Sequence, residues 1–332
     1  MRHFLTTADW SREEIGALLD DARALRERPR QGRCEGKTAA FVFFNPSLRT
    51  RTSFQVGFAQ LGGTPVVLDA AGTWPLEYTD GAVMDGAPEE HAKEAARVLS
   101  RYVDLIGIRA FPKFEDWRAE REDPLLSAFA EHATVPIVNM ETIVHPCQEL
   151  AMLMAMQDAH GDLARKKIVL TWTYHPKPLN TAVMNSALLA TTKMGMDVTL
   201  LIPSEAYALD DKFMEPASGY AAENGMALNV EYNIERAYAG ADAVYAKSWG
   251  RLDQIGLPME QRLTPDHLRR FMVDEAKMAL TNDATFSHCL PMRRNVKATD
   301  GVADGARSLI IEEAENRLHV QKAVMGKLLE AA

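Results

Sequence analysis

The sequence is poor in cysteine and has no long apolar run. Its 332 residues include three cysteines, Cys34, Cys147 and Cys289, an odd and widely spaced set that does not make a disulfide framework. No apolar run reaches the roughly 20 residues that cross a bilayer, and no signal-peptide h-region is recognisable. We therefore expect a cytoplasmic protein that does not enter a membrane.

The chain also has fewer basic than acidic residues. The chain has 37 Lys and Arg residues against 46 Asp and Glu residues, which gives a formal net charge of −9. This balance argues against nucleic acid or an anionic membrane as a general partner, although a small anion can still bind in a locally basic pocket. No Gly-x-Gly-x-x-Gly motif follows the first predicted strand, which argues against a nicotinamide-dependent dehydrogenase.

What is present is an alternation of apolar strands and amphipathic helices over a chain long enough for two domains. Ser11 and Glu14 have the spacing of a capping box at the start of the first helix. The alternation predicts an α/β protein with two doubly wound parallel-sheet domains. The predicted strands are 39–44, 65–69, 105–110 and 135–139 in the first half, and 167–172, 197–202, 241–246 and 279–281 in the second.

The stretch at 44–54, Phe-Asn-Pro-Ser-Leu-Arg-Thr-Arg-Thr-Ser-Phe, lies between the first predicted strand and a helix. Backbone N–H groups from Ser47 to Thr50 point outward at such a helix N-terminus, where the dipole favours an anion, and Arg49 and Arg51 add guanidinium groups. The alternative is an N-cap Ser followed by a solvated basic turn. Cations are unfavourable at this end of a helix unless an anion lies beside them, so we favour a phosphate-binding site.

Further candidates lie beyond the carboxyl ends of predicted strands, where open parallel sheets bind their ligands. Arg109 ends an apolar strand, as either an internal ion-pair member or a second phosphate anchor. His145 and Gln148 lie three residues apart at the start of the connecting helix, so both can reach one carbonyl group, although a lone His before Pro is more often a cap or a surface residue. Arg317 in the last helix is either a partner of nearby acids on that helix or another phosphate ligand.

Ser-Leu-Arg-Thr-Arg at 47–51 resembles the phosphate motif of the aspartate/ornithine carbamoyltransferase family. Three further segments occur in that family's order: His-Pro-Cys-Gln at 145–148, His-Cys-Leu-Pro at 288–291 and Glu-Asn-Arg at 315–317. The resemblance covers nearly the whole chain. It implies a carbamoyl phosphate-binding domain at 1–149, an amino-acid-binding domain at 150–311 and a C-terminal helix at 312–332 that returns to the first domain. It also implies a homotrimer with active sites at subunit interfaces, and neither metal nor cofactor.

The resemblance implies roles for most of the candidates. Trp74 would enter a neighbouring subunit's site, although core packing is the ordinary role of an indole in a loop. Cys289 beside His288 is not interpreted as a nucleophile, because adjacent side chains on an extended segment point to opposite faces. Arg109, His145, Gln148 and Cys289 would be catalytic. The implied contacts of carbamoyl phosphate are Ser47, Leu48, Arg49, Thr50, Trp74, Arg109, His145, Gln148, Cys289, Leu290 and Arg317.

The resemblance is to those members that carbamoylate N-acetylornithine. Lys-Ser-Trp-Gly at 247–250 offers a cation for a carboxylate and no acid for an ammonium group, which suits an acylated α-nitrogen. Glu89 matches the place where the succinylornithine enzymes have proline, and its charge would repel a succinyl carboxylate. Lys297 matches a lysine that is carboxylated on its ε-nitrogen. The implied contacts of the acceptor are Glu89, Glu141, Lys247, Cys289, Leu290, Arg293 and Lys297.

The expected reaction is transfer of the carbamoyl group of carbamoyl phosphate to the δ-amine of N-acetylornithine, in arginine biosynthesis. Ornithine and N-succinylornithine are the alternative acceptors. A non-catalytic member that only binds such ligands is the alternative of a different class. A protein of that kind is expected to have lost one of the motif residues, and all of them are present.

Overall fold

The computed structural model describes residues 1–72 and 74–330, and these form two compact α/β units. The first unit contains Met1–Cys147 and the residues from Asn316 onward, and the second is Gln148–Glu315. The chain passes from the first unit to the second, and back again, within two long helices. Of the helices in the described residues, none combines the length and apolarity needed to cross a bilayer.

The first unit is built on a parallel sheet with the strand order β2-β1-β5-β6, beside a separate short pair formed by β3 and β4. Its helices and strands are α1 (Arg12–Glu27), β1 (Thr38–Phe43), α2 (Arg49–Gln60), β2 (Thr64–Asp69), β3 (Leu76–Glu77), β4 (Glu90–His91), α3 (Ala92–Tyr102), β5 (Leu105–Arg109), α4 (Trp117–Glu120), α5 (Pro124–His132) and β6 (Ile137–Glu141).

The second unit is built on a five-stranded parallel sheet with the order β11-β10-β7-β8-β9. The remaining elements are α6 (Pro146–His160), β7 (Lys167–Trp172), α7 (Ala182–Lys193), β8 (Asp197–Leu201), α8 (Asp211–Glu223), β9 (Asn229–Glu231), α9 (Ile234–Tyr238), β10 (Ala243–Lys247), α10 (Glu275–Met278), β11 (Thr285–Ser287), α11 (Asp300–Ala303) and α12 (Ile310–Glu330). The predicted fold class is confirmed, including a C-terminal helix whose residues from Asn316 onward belong to the first unit.

The predicted strand at 279–281 is wrong. These residues form a turn after α10, where the Thr281 hydroxyl donates to the Met278 carbonyl oxygen at 2.6 Å. The edge strand of the sheet is β11, which pairs with β10 four residues later in the chain. The error has a physical reason, because three residues are too few for their periodicity to distinguish a strand from a helix end.

Aromatic packing fixes α2 against the first sheet. The ring of Phe41 in β1 contacts the rings of Phe54 and Phe58 in α2, with centroid distances of 5.2 Å and 6.1 Å. A Cβ at Gly107 of the neighbouring strand β5 would lie 2.8 Å from the Phe41 ring, so only glycine leaves room for it. Because α2 is held in this way, its N-terminus lies at the carboxyl end of β1.

A buried lysine attaches the terminal helix to the first unit. Lys322 is fully buried, and its ammonium group donates to the carbonyl oxygens of Leu25 and Pro29, at 3.0 Å and 3.2 Å, and to Oε1 of Gln60, at 3.0 Å. Leu25 lies in α1 and Gln60 ends α2, so one side chain connects α12 to two other helices.

We expect Lys322→Met to lower the free energy of unfolding by about 2–4 kcal/mol, because it leaves three acceptors without their donor. Urea titration followed by circular dichroism measures the effect. Lys327→Met is the matched control, since Lys327 is exposed on the same helix and its loss is expected to cost less than about 0.5 kcal/mol. Equal stability of the two variants would contradict the role given to Lys322.

Candidate functional site

Three adjacent strands of the first unit end at the same edge of their sheet. Phe43 of β1 pairs with Arg109 of β5, and Arg109 pairs with Glu141 of β6. All three residues end their strands, and α2 begins six residues after β1. The parallel arrangement therefore brings Arg109 and Glu141 to the edge at which α2 starts.

The hydroxyl of Thr50 is the meeting point of two guanidinium groups. Arg317 of α12 donates to Thr50 Oγ1 at 2.9 Å, and Arg109 donates to the same oxygen at 3.3 Å. The backbone N–H of Thr50 donates to Ser47 Oγ at 3.1 Å. The predicted phosphate residues Ser47, Thr50, Arg109 and Arg317 are thus brought together, and Arg317 contacts Thr50 instead of only serving as an ion-pair partner on its own helix.

This cluster is strongly positive and largely removed from water. Arg317 is buried, which lowers the pKa of its guanidinium, and the positive charges of Arg109 and Arg49 lower that pKa further. The Glu141 carboxylate acts in the opposite direction. Three cations with one nearby carboxylate favour an anion with more than one negative charge.

Glu141 connects Arg109 to His145. Its Oε2 atom accepts a short hydrogen bond from Arg109 Nη1 and lies 3.3 Å from Nε2 of His145. The guanidinium carbon of Arg109 also lies 4.6 Å from the centre of the Phe111 ring. Arg109 is therefore a member of an internal ion pair and also borders the candidate anion site, while its role as a phosphate anchor stays a prediction.

Arg51 is directed away from this cluster. Its guanidinium donates to the carboxylate of Asp69 at the end of β2 and lies over the ring of Phe43, 4.6 Å from its centre. Two residues along a helix correspond to a rotation of about 200°, so Arg49 and Arg51 face different sides. The prediction that Arg51 contributes to the phosphate site is wrong.

The second unit has its own buried polar cluster after adjacent strands. Lys247 ends β10, and His288 and Cys289 follow β11; all three are buried. The backbone N–H of Leu290 donates to His288 Nδ1 at 2.9 Å, which places the proton of a neutral imidazole on Nε2. Leu290 itself has φ of 53°, a left-handed backbone conformation that is uncommon for a bulky residue other than glycine.

Lys297 is a buried amine with altered acidity. Burial, together with the positive charges of Lys247 and Arg293, lowers its pKa to about 7, while Cys289 acts in the opposite direction. His288 Nε2 lies 3.4 Å from Lys297 Nζ. A neutral amine can accept the proton on His288 Nε2, whereas an ammonium group cannot, so this contact also favours the neutral form.

Gln148 lies in the first turn of α6, immediately after the residues of the first unit, and is buried. Its side-chain nitrogen donates to the carboxylate of Glu313 in α12. Sequence reasoning missed Glu313, since an acid four residues before Arg317 suggested a surface ion pair. Only the predicted apolar period of α12 could have indicated that this acid is buried.

Two family models match the chain. The aspartate/ornithine carbamoyltransferase carbamoyl-P binding domain matches residues 2–158, and the Asp/Orn binding domain of the same family matches residues 171–328. The chain belongs to the aspartate/ornithine carbamoyltransferase family. The positive cluster around Thr50 lies within the part that matches the carbamoyl-P binding model, apart from Arg317, which α12 supplies from near the end of the second matched segment.

Individual carbamoyltransferases are similar over their full length. An N-acetylornithine carbamoyltransferase of Xanthomonas campestris pv. campestris is 57% identical in an alignment of 332 positions that covers 99% of this chain and 98% of that protein. A solved acetylornithine transcarbamylase complexed with acetylcitrulline has a TM-score of 0.96 and 57% identity, covering 99% of both chains. A glutamate-to-alanine variant of N-acetyl-L-ornithine transcarbamylase, complexed with carbamyl phosphate and N-succinyl-L-norvaline, has the same TM-score and identity and covers 99% of this chain and 100% of that one.

Several residues that the carbamoyltransferase resemblance singled out lie at the surface. Trp74 is 60% exposed and borders a cavity of about 640 Å³ that Asn45 and Phe111 also line. Glu89 and Arg293 are exposed as well, as is the side chain of Leu48. Their ligand contacts stay predictions.

No group of three or more His, Cys, Asp or Glu residues that suits a metal ion occurs within residues 1–72 and 74–330.

Proposed function

We propose that this protein transfers the carbamoyl group of carbamoyl phosphate to the δ-amine of N-acetyl-L-ornithine, giving N-acetyl-L-citrulline and phosphate in arginine biosynthesis in the cytoplasm. The observation that carries the proposal is that Arg109 and Arg317 both donate to the Thr50 hydroxyl at the N-terminus of α2. Arg49 adds a third positive charge close to Arg317. A phosphate dianion satisfies the three cations and the helix dipole together.

The first unit would hold carbamoyl phosphate. Ser47, Leu48 and Thr50 present the helix N-terminus to the phosphate, while Arg49, Arg109 and Arg317 neutralise its charge. His145, Gln148, Cys289 and the backbone carbonyl of Leu290 hold the carbamoyl group. Support for these roles comes from the bonds among Thr50, Arg109 and Arg317 and from the family match.

In the reaction, the lone pair of the δ-nitrogen attacks the carbamoyl carbon and a C–N bond forms. The bond from that carbon to the bridging oxygen breaks, its electron pair leaves with phosphate, and the phosphate takes the proton released by the amine. Arg109 and His145 stabilise the charge that develops on the carbonyl oxygen, with Glu141 orienting both. These residues accelerate the transfer by positioning the substrates and by electrostatic stabilisation, without a metal or organic cofactor.

The acceptor would be bound mainly by residues of the second unit. Lys247 pairs with the α-carboxylate, and Arg293 and Lys297 border the same substrate. Both contacts of Glu141 to Arg109 and His145 use Oε2, and we assign Oε1 to the amide N–H of the acylated α-nitrogen. Ornithine lacks that amide and carries an ammonium group instead, so it is expected to bind poorly.

Steady-state assays with three acceptors test the proposed function. Carbamoyl phosphate is supplied with N-acetyl-L-ornithine, L-ornithine or N-succinyl-L-ornithine, and the ureido product and phosphate are both quantified. We expect kcat/KM for the acetylated substrate to exceed that for either rival by about 100-fold or more. No ureido product from any of the three would overturn the enzymatic proposal, and a preference for ornithine or succinylornithine would overturn the acceptor.

Glu89 is the residue that we expect to exclude the succinyl group by charge repulsion. Glu89→Ala should raise kcat/KM for N-succinylornithine by about tenfold or more and change the value for N-acetylornithine by less than about threefold. A related enzyme binds N-succinyl-L-norvaline in a glutamate-to-alanine variant. Glu90→Ala is the matched control for the adjacent carboxylate, and a gain with that variant instead would move the role to Glu90.

Lys297 is a candidate for carboxylation of its ε-amine, which is a proposal about its chemistry with CO₂. The neutral amine attacks CO₂ and a C–N bond forms while one C=O π bond opens to C–O⁻; the nitrogen then releases one proton to solvent, which leaves a carbamate. Because the pKa is about 7, the fraction of neutral amine rises as the pH increases through 7, and so should the carbamate. We expect a ¹³C carbamate signal with ¹³CO₂ that grows from pH 6 to pH 8 and is missing in Lys297→Met. A signal that persists in that variant would contradict the assignment.

We also propose that the chain acts as a homotrimer with active sites at subunit interfaces. Apolar side chains are exposed on the first unit, among them Leu48 at 77% and Val83 at 83%, and Trp74 lies between them in the sequence. Exposed apolar side chains of this size suit a protein interface. Trp74 would then close the carbamoyl phosphate site of a neighbouring copy.

A further inference from the structure

A fully buried carboxylate lies behind Gln148. Oε1 of Glu313 accepts hydrogen bonds from the side-chain nitrogen of Gln148 and from the Tyr245 hydroxyl, the latter at 3.1 Å, and Oε2 accepts from the Ser287 hydroxyl. Glu313 is 0% exposed, and none of the other three residues exceeds 2%. Tyr245 lies in β10 and Ser287 ends β11, so two strands of the second sheet hold the carboxylate in place.

The carboxylate determines which end of the Gln148 amide faces it. An ionised carboxylate only accepts hydrogen bonds, whereas the amide has an NH₂ group that donates and a carbonyl oxygen that accepts. Gln148 must therefore direct Nε2 toward Glu313. Because Nε2 and Oε1 lie on opposite sides of the amide carbon, Oε1 is directed away from Glu313.

The orientation has a consequence for the carbamoyl group. The carbamoyl NH₂ is a donor, so it needs an acceptor, and Oε1 of Gln148 is one. A reversed amide would place N–H groups against N–H groups and lose that hydrogen bond. We propose that Glu313 is a positioning residue for carbamoyl transfer, which directs Oε1 of Gln148 toward the carbamoyl nitrogen. This inference rests on the proposed function.

A purely structural role does not require this chemistry at position 313. A buried carboxylate is costly unless donors surround it, and well-packed apolar side chains often stabilise a core as well or better. A Tyr, a Ser and a Gln are instead arranged around one acceptor-only group. This arrangement fixes the orientation of the Gln148 amide, which an apolar residue at position 313 could not do.

Glu313→Gln tests the proposal with little change in volume. The new amide can donate or accept, so it no longer selects one orientation of Gln148. We expect kcat/KM for carbamoyl phosphate to fall by about 10- to 100-fold, while KM for N-acetylornithine changes by less than about twofold. Tyr245→Phe is the matched control, because it removes another hydrogen-bond donor from the same carboxylate but leaves the carboxylate that accepts from Gln148. We expect this variant to lower kcat/KM for carbamoyl phosphate by less than about threefold.

A double-mutant cycle with Gln148→Ala separates positioning from structural support. If Glu313 acts through Gln148, the double variant should have a kcat/KM less than about twofold below that of Gln148→Ala alone. Losses that multiply would overturn the proposal, as would a Glu313→Gln variant with wild-type kcat/KM. If Glu313→Gln does not fold, the same cycle is run with Glu313→Asp, whose shorter carboxylate withdraws from Gln148. Failure of the wild-type protein to carbamoylate any ornithine would instead refute the proposed function.

Discussion

Replacing Arg49 with alanine is expected to lower kcat/KM for carbamoyl phosphate by about 10²- to 10³-fold. Arg49 contributes positive charge to the site at Thr50, and a guanidinium at the N-terminus of α2 is favourable only if an anion binds there. Because Arg49 is only partly buried, its removal should leave the thermal unfolding temperature almost unchanged. Initial-rate assays with saturating N-acetylornithine measure the effect.

Arg51→Ala is the matched control for this prediction. Arg51 lies two residues further along the same helix and is paired with Asp69 at the surface. Its loss removes the same charge and a similar side chain from the motif, and it is expected to change kcat/KM by less than about threefold. Equal losses for the two variants would contradict the assignment of Arg49 to the phosphate.

Arg317→Met is expected to lower kcat/KM for carbamoyl phosphate by a similar factor, about 10²- to 10³-fold. The variant removes a buried guanidinium that donates to Thr50 and whose pKa is lowered by its burial and by the charges of Arg109 and Arg49. Since a buried charge close to other cations is costly without an anion, the free protein should lose little or no stability.

A ligand-dependent readout distinguishes this outcome from simple damage to the fold. Inorganic phosphate should raise the unfolding temperature of the wild-type protein by mass action, and this increase should be almost lost in Arg317→Met. Arg317→Lys keeps the positive charge but loses the planar guanidinium group, so it should retain part of the phosphate-dependent increase in unfolding temperature. A variant that is stabilised by phosphate as well as the wild type would show that Arg317 does not contact the anion.

The sequence predicted the parts of the site that depend on local pattern. A strand followed by a helix N-terminus with Ser47, Arg49 and Thr50 is readable within a dozen residues, and strand ends located Arg109 and His145. Parallel strands bring such ends to one edge, so the clustering in the first unit follows from the alternation itself. Arg51 was assigned wrongly because the motif was considered without the rotation of the helix.

The contacts between distant residues could not be predicted in this way. Arg317 and Thr50 are 267 positions apart, and Gln148 and Glu313 are 165 positions apart. Helical periodicity can indicate that the acid at 313 is buried, but not that it lies against Gln148 or that Glu141 joins Arg109 to His145. These pairs result from packing of the terminal helix and from strand order, which only the assembled fold determines.

The central claim is that a phosphate dianion binds among the guanidinium groups around Thr50. A crystal structure of the protein with carbamoyl phosphate, in the absence of acceptor, tests it most directly. We predict the phosphoryl group at the N-terminus of α2, with its oxygens within hydrogen-bonding distance of Arg49, Arg109 and Arg317. A phosphoryl group bound elsewhere, with these guanidinium groups contacting only protein atoms or solvent, would contradict the account.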